Sequence, residues 1–232
     1  MITCVMLDYG WVLACPTTGN WFITPKTAEI IGKNTFVALM SKPDEVNIAF
    51  QKAETYLNEN HLLHTEQEEI TQFTQFFRLF FTHMNIDIQE DICGKLAADI
   101  VCNDQKIAFY DDVYDGLQEL KEKYRIAILS DTWPSLRRIL DNARISSVLD
   151  ALIMSCDYNE TKKRTKLFEI AISQLKENPE NILFVDDSIS NLANAEKAGL
   201  IPVLMDRNAR RPDSPYPIVK NLNDIQKLLM TM

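Results

Sequence analysis

Apolar positions change their spacing twice along this chain. In the opening stretch ITCVMLDYGWVL, residues 2–13, Val5, Met6 and Leu7 are consecutive and apolar. That is the pattern of a strand covered on both faces of a parallel sheet. The run stops at Asp8 and Gly10, and Ala14 to Pro25 reads as a loop from its Pro, Gly, Thr and Asn content. From Thr27 to about Val101 the spacing is helical. Val46, Phe50, Ala53 and Leu57 share one face, with Asp44 as the expected cap. Thr65 with Glu68 forms a capping-box pattern ahead of Ile70, Phe73, Phe76, Phe77, Phe80 and Phe81. At this spacing the aromatics read as the core of a helical bundle rather than the lining of a substrate cavity.

From Asp112 onward, helical stripes alternate with short apolar runs. Val113, Leu117, Leu120 and Tyr124 precede the strand Ile126 to Leu129, which ends on Ser130 and Asp131. Pro134 is expected in the first turn of a helix carrying Leu136, Ile139 and Leu140. Further strands are expected at Ala151 to Met154, Ile182 to Val185 and Ile201 to Leu204, separated by helices carrying Phe168 to Leu175 and starting at Ser188. Gly199 ends the second of these helices, and Asn223 to Leu229 makes a terminal one. The order is one strand, a helical insert, then repeated helix and strand. It predicts a doubly wound, Rossmann-like α/β core (residues 1–13 and 106–232) with an inserted helical cap domain (14–105).

Composition narrows the classes. The 232 residues are 46% hydrophobic, enough for a sizeable core, and carry a formal charge of -9. That charge argues against a nucleic-acid or anionic-membrane partner. Arg207, Arg210 and Arg211 form a local basic cluster that reads as a solvated loop. Five cysteines without a CxxC pair fit reduced thiols in a cytoplasmic protein. No basic segment leads an apolar stretch at the N-terminus, and no apolar run approaches the ~20 residues needed to cross a bilayer. His61 and His64 lack companions at metal-ligand spacing and read as a helix end near solvent.

Three of the expected strands end on polar groups: Asp8, then Ser130 with Asp131, then Asp186 with Asp187. In a doubly wound sheet such ends share one edge. Adjacent carboxylates facing a third are costly unless a cation neutralises them, and oxygen donors of this kind suit Mg²⁺. Lys162 or Lys163, ahead of the Phe168 helix, supplies a fixed positive charge.

With these residues in this order, the chain resembles the haloacid dehalogenase (HAD) superfamily, in the subgroup with a helical cap inserted after the first motif. The resemblance implies that Asp8, in LDYGWVL, is the nucleophile that forms an aspartyl intermediate. It implies that Ser130, in ILSDT, binds the transferring phosphoryl group. Lys162, six residues before Phe168 as in the family's KPxxxxF spacing, would pair with nucleophile and phosphate, and Lys163 is the alternative. Asp8, the Gly10 carbonyl, Asp186 and Asp187 would hold Mg²⁺, while Tyr9, Gly10, Ser130, Asp131 and Lys162 would border the substrate.

The departures from the family pattern bear on function. Family phosphatases usually carry a second aspartate two residues after the nucleophile, to protonate the leaving group and activate water. Gly10 stands there instead. Trp11 replaces a usually small residue, and Asp131 stands where asparagine is common. Acid–base catalysis contributes about 10²- to 10⁴-fold, a minor share of the accelerations known for phosphate-ester hydrolysis. The expectation is therefore a Mg²⁺-dependent phosphatase of a small phosphorylated metabolite, favouring aryl or acyl phosphates whose leaving groups need little protonation. A cap carboxylate or an ordered water is an alternative acid. Two other readings stand beside it. One is 2-haloacid dehalogenation, which needs no metal and generally goes without the paired carboxylates. The other is a binding or regulatory protein that kept the fold and lost turnover. Oligomeric state is open.

Overall fold

The computed structural model describes residues 1–232. In chain order it contains β1 (Cys4–Leu7), β2 (Ala14–Pro16), α1 (Thr27–Ile30), α2 (Lys33–Met40), α3 (Pro43–Glu59), α4 (Glu66–His83), α5 (Glu90–Cys102) and β3 (Ile107–Phe109). There follow α6 (Val113–Lys121), β4 (Arg125–Ser130), α7 (Leu136–Asn142), β5 (Ala151–Met154), α8 (Ser155–Tyr158), α9 (Lys166–Leu175), β6 (Ile182–Asp186), α10 (Ile189–Lys197), β7 (Ile201–Met205), β8 (Ile218–Val219) and α11 (Leu222–Leu229). The chain divides into two compact units. One comprises 1–15, 109–132 and 136–232; the other comprises 16–108 together with Trp133–Ser135.

The first unit is a six-stranded parallel sheet in the order β5-β4-β1-β6-β7-β8. Every residue of β1, β6 and positions 126–130 of β4 is buried, which is why these strands read as unbroken apolar runs rather than as alternating ones. β1 lies between β4 and β6, with Leu7 level with both Ile128 and Val185. From that central strand the sheet is built outward in both directions, so the crevice beyond the carboxyl end of β1 is the topological switch point where such sheets take ligands. Phe168 and Phe184 pack edge to face, their centroids 5.2 Å apart, in the layer between α9 and the sheet.

The helical unit is held by the stripes seen in the sequence. Phe50, Phe73, Phe76, Phe77, Phe80 and Phe81 are buried in one core with Leu57, Leu96 and Ile100. Thr65 and Glu68 form both halves of the capping box at the start of α4. Asp44 does not cap α3. The helix begins one residue earlier at Pro43, whose fixed φ suits a first helical position, and Asp44 sits in the acidic first turn. His61 is also not at a solvated helix end: it is 5% exposed and packs edge-on against Trp133. Pro134 precedes α7 by two residues rather than opening it.

Trp133 and Ser135 are tied into this unit by polar contacts that the apolar pattern did not reveal. The Trp133 indole N–H donates to Gln72 Oε1 at 2.8 Å. Glu69, 1% exposed, accepts the Ser135 N–H and the Ser135 hydroxyl, each at 2.7 Å. Burial pushes the Glu69 carboxyl up, against the opposing effect of those two bonds. Glu69→Ala strips a buried amide and hydroxyl of their acceptor. We expect it to cost about 2–3 kcal/mol, read as a lower urea midpoint at unchanged slope.

Candidate active site

The site is assembled at the carboxyl end of β1. Asp8 extends the ladder by one residue, its N–H donating to the Val185 carbonyl at 2.9 Å, which brings it level with Asp186 at the end of β6. Asp8 is 7% exposed and Asp186 is fully buried. Lys162, 2% exposed, lies between them, with Nζ 2.8 Å from Asp8 Oδ1 and 2.7 Å from Asp186 Oδ2. Only the second contact has hydrogen-bond geometry. Asp8 Oδ1 and the Lys162 ammonium form a close ion pair without that geometry. Lys163 is exposed, and Lys162 is therefore the lysine of the pair that reaches the cluster.

The loop carrying Lys162 is fixed at its backbone. The Lys162 N–H donates to Asp131 Oδ1 at 2.9 Å, and its carbonyl accepts Asn194 Nδ2 at 3.0 Å. Asp131, exposed at the end of β4, thereby orients the lysine segment. Ser130 is buried as the last residue of β4, and the following Thr132 N–H donates to the Ser155 hydroxyl at 2.8 Å. Asp186 is oriented in turn by the Ser188 N–H at 2.7 Å and by Asn191 Nδ2 at 3.2 Å from each of its oxygens. Asn191 and Asn194 sit one helical turn apart on α10. Both were missed in the sequence because asparagine on a helix face has no distinctive spacing.

Between Tyr9 and Ala14 the chain makes a tight turn. The Leu13 and Ala14 N–H groups both donate to the Tyr9 carbonyl, at 2.9 and 3.1 Å, and the Trp11 N–H donates to the Ala14 carbonyl at 2.7 Å. Trp11 adopts φ +58°, a left-handed conformation that is strained for a bulky residue and persists only where its surroundings impose it. The Tyr9 ring is buried edge-on to Phe109, 6.0 Å between centroids. Gly10 contributes no side chain beside Asp8.

Arg207 corrects the reading of the basic cluster as a solvated loop. Its side chain is only 8% exposed and pairs with Asp112 at 2.7 Å, whereas Arg210 and Arg211 are exposed. The partners are 95 positions apart, so no local pattern reveals them.

One carboxylate oxygen from each of Asp8, Asp186 and Asp187 lies within 4.8 Å of the others. Burial, reinforced by the Asp186 charge and opposed by Lys162, pushes the Asp8 carboxyl up to about 7. Burial and Asp186 push Asp187 up to about 6. Burial opposes the Lys162 charge, but Asp186 and Asp8 outweigh it and hold the ammonium protonated. One ammonium thus faces three carboxylates, an excess of negative charge that a bound cation would offset. This hard, oxygen-only donor set fits a divalent cation of the Mg²⁺ class. Asp8, Asp186 and Asp187 would hold the ion, with backbone carbonyls and water completing its shell.

Comparisons with known proteins agree with this architecture. The chain is 26% identical over 127 residues to an (S)-2-haloacid dehalogenase of Burkholderia cepacia; the match covers 53% of this chain and 55% of that protein, about half the length of each. A HAD phosphatase of Thermococcus onnurineus superposes with a TM-score of 0.60 at 19% identity, covering 98% of both chains. The HAD-hydrolase YfnB of Bacillus subtilis, solved with magnesium, gives 0.70 at 12% identity and the same coverage. At such identities these structures speak to the fold alone. The profile of haloacid dehalogenase-like hydrolases matches residues 21–199, and it is to that family of hydrolases that the chain belongs.

Proposed function

We propose that the protein is a divalent-cation-dependent phosphatase, with Mg²⁺ as the physiological ion, acting on a small phosphorylated metabolite through an aspartyl phosphate on Asp8. The observation that carries this reading is the convergence of Asp8, Asp186 and Asp187 within 4.8 Å around the buried Lys162 ammonium. The bound cation would supply charge neutralisation for the phosphoryl oxygens. An Asp8 carboxylate oxygen attacks phosphorus and the ester or anhydride oxygen departs with its electron pair. Water then attacks the phosphorus of the acyl phosphate, releasing inorganic phosphate and restoring the carboxylate. Lys162 holds Asp8 in place and offers positive charge, and Ser130 is suited to hydrogen-bond a phosphoryl oxygen.

The test is hydrolysis of acetyl phosphate and of an activated aryl phosphate by the purified protein, with Mg²⁺ or with EDTA. Metal-dependent turnover supports the reading; its absence from both substrates contradicts it. Glycine at position 10, where the family usually carries an acid, makes a further prediction. Gly10 is not among the positive-φ residues, so its φ does not require glycine. We expect Gly10→Asp to raise turnover of alkyl phosphate esters by about 10²-fold while changing acetyl phosphate hydrolysis little.

Cation affinity should depend on pH in a defined direction. The ion binds ionised carboxylates, and protons compete for Asp8 near about 7 and Asp187 near about 6. Mg²⁺ affinity is therefore expected to fall as pH drops from about 8 to 5, with proton release on binding. Calorimetry in buffers of different ionisation enthalpy reads both. The competing reading, haloacid dehalogenation, is favoured by the name of the Burkholderia relative. It predicts halide release from a 2-haloacid in EDTA, and gives Asp187 no evident work.

A further inference from the structure

The turn that follows the proposed nucleophile is gripped from outside by one guanidinium. Arg207, just beyond β7, donates from Nε and Nη2 to the Val12 carbonyl at 2.9 and 2.6 Å. The same group donates to Asp112 from Nη1 at 2.7 Å and from Nη2 at 3.2 Å, and its Cζ lies 3.9 Å from the centre of the Tyr110 ring. Asp112 is itself fixed, because Oδ2 accepts the Leu222 N–H at 2.7 Å where α11 begins. The Tyr110 N–H donates to the Leu13 carbonyl at 3.1 Å. All the guanidinium contacts lie within the sheet-containing unit.

Such a largely buried pair is a poor device for stability, since apolar residues of similar volume often serve as well. Its value is geometric: a planar fork addresses a carbonyl and a carboxylate at once, which an ammonium cannot reproduce. We propose that Arg207 is a positioning residue for the nucleophile. By fixing the Val12 carbonyl it holds the Tyr9–Ala14 turn in the shape that seats Asp8 beside Asp186 and Asp187. The effect on turnover rests on the phosphatase reading, but the effect on the turn does not.

The test uses the full chain with Arg207→Lys and Arg207→Ala. Amide hydrogen exchange is followed at Trp11, Leu13 and Ala14, the donors that close the turn, with Ile128 in β4 as the reference. We expect exchange at the three turn amides to rise about tenfold or more in both variants while Ile128 keeps its protection. With acetyl phosphate, kcat should fall about tenfold to a hundredfold with KM within about twofold, the cost of a small misplacement of a reacting group. Added ethylguanidinium should recover part of that loss in Arg207→Ala and none in Arg207→Lys, where the cavity is filled. Unchanged exchange at the turn would overturn the proposal, as would a parallel rise at Ile128, which marks general loosening. A loosened turn with undiminished kcat would overturn it too. Should the wild-type protein hydrolyse no phosphate, the exchange measurement alone decides, so the two readings fail separately.

Discussion

Asp8→Asn is expected to lower metal-dependent hydrolysis of acetyl phosphate by about 10³-fold or more and to leave the fold intact. The amide is nearly isosteric but cannot supply the anionic oxygen that bonds to phosphorus, and losing a covalent nucleophile removes a whole pathway. The fold survives because Lys162 keeps its 2.7 Å bond to Asp186. Stability is expected to shift in a pH-dependent way. Burial pushes the folded Asp8 carboxyl up to about 7, above the 3.8 of a free aspartate. Its contribution to stability is therefore complete below about pH 4 and is lost as pH rises through 7. The asparagine has no such term. Without metal, Asp8→Asn should thus become progressively more stable relative to wild type from about pH 5 to 8, measured as thermal midpoints across that range.

Lys162→Met is the second large effect, and it acts on folding as well as on chemistry. The ammonium is 2% exposed and is the cation in direct contact with Asp8 and Asp186. Removing it leaves two buried carboxylates facing each other with Asp187 beside them. At neutral pH without metal we expect a loss of about 3–5 kcal/mol, typical for breaking a buried ion pair from one side. The loss should shrink as pH falls, because protonation removes the uncompensated charge, and should also shrink when Mg²⁺ is added and replaces it. Denaturant unfolding at two pH values, with and without Mg²⁺, measures all three trends. Turnover should fall even under conditions that restore the fold.

Much of this site is legible in the sequence because its parts are strand ends. Asp8, Ser130 and Asp186 each terminate an apolar run, and the parallel topology forces such ends to one edge. The spacing to Phe168 favoured Lys162 over Lys163, and the side chain that reaches the cluster is that of Lys162. The Thr65 and Glu68 capping box was legible for a similar reason, since it is wholly local. What escaped was non-local or depended on small energetic preferences. Arg207 reads as a solvated charge in the sequence, whereas Asp112 and the Val12 carbonyl, both distant in sequence, enclose it in the structure. The assignment of Trp133–Ser135 to the helical unit rests on Glu69 and Gln72, polar residues on a helix face that periodicity treats as solvent-facing. Asp44 is not the cap because Pro43 takes the first helical position, which moves the cap two positions back to Lys42.

The most direct measurement of the central claim is mass spectrometry of the protein quenched in acid after brief exposure to acetyl phosphate and Mg²⁺. Acyl phosphates survive such a quench long enough for peptide mapping. The account predicts one phosphoryl group on the peptide containing Asp8, absent in EDTA and absent in Asp8→Asn. A phosphoryl group on any other residue, or none at all alongside metal-independent halide release from a 2-haloacid, would contradict it.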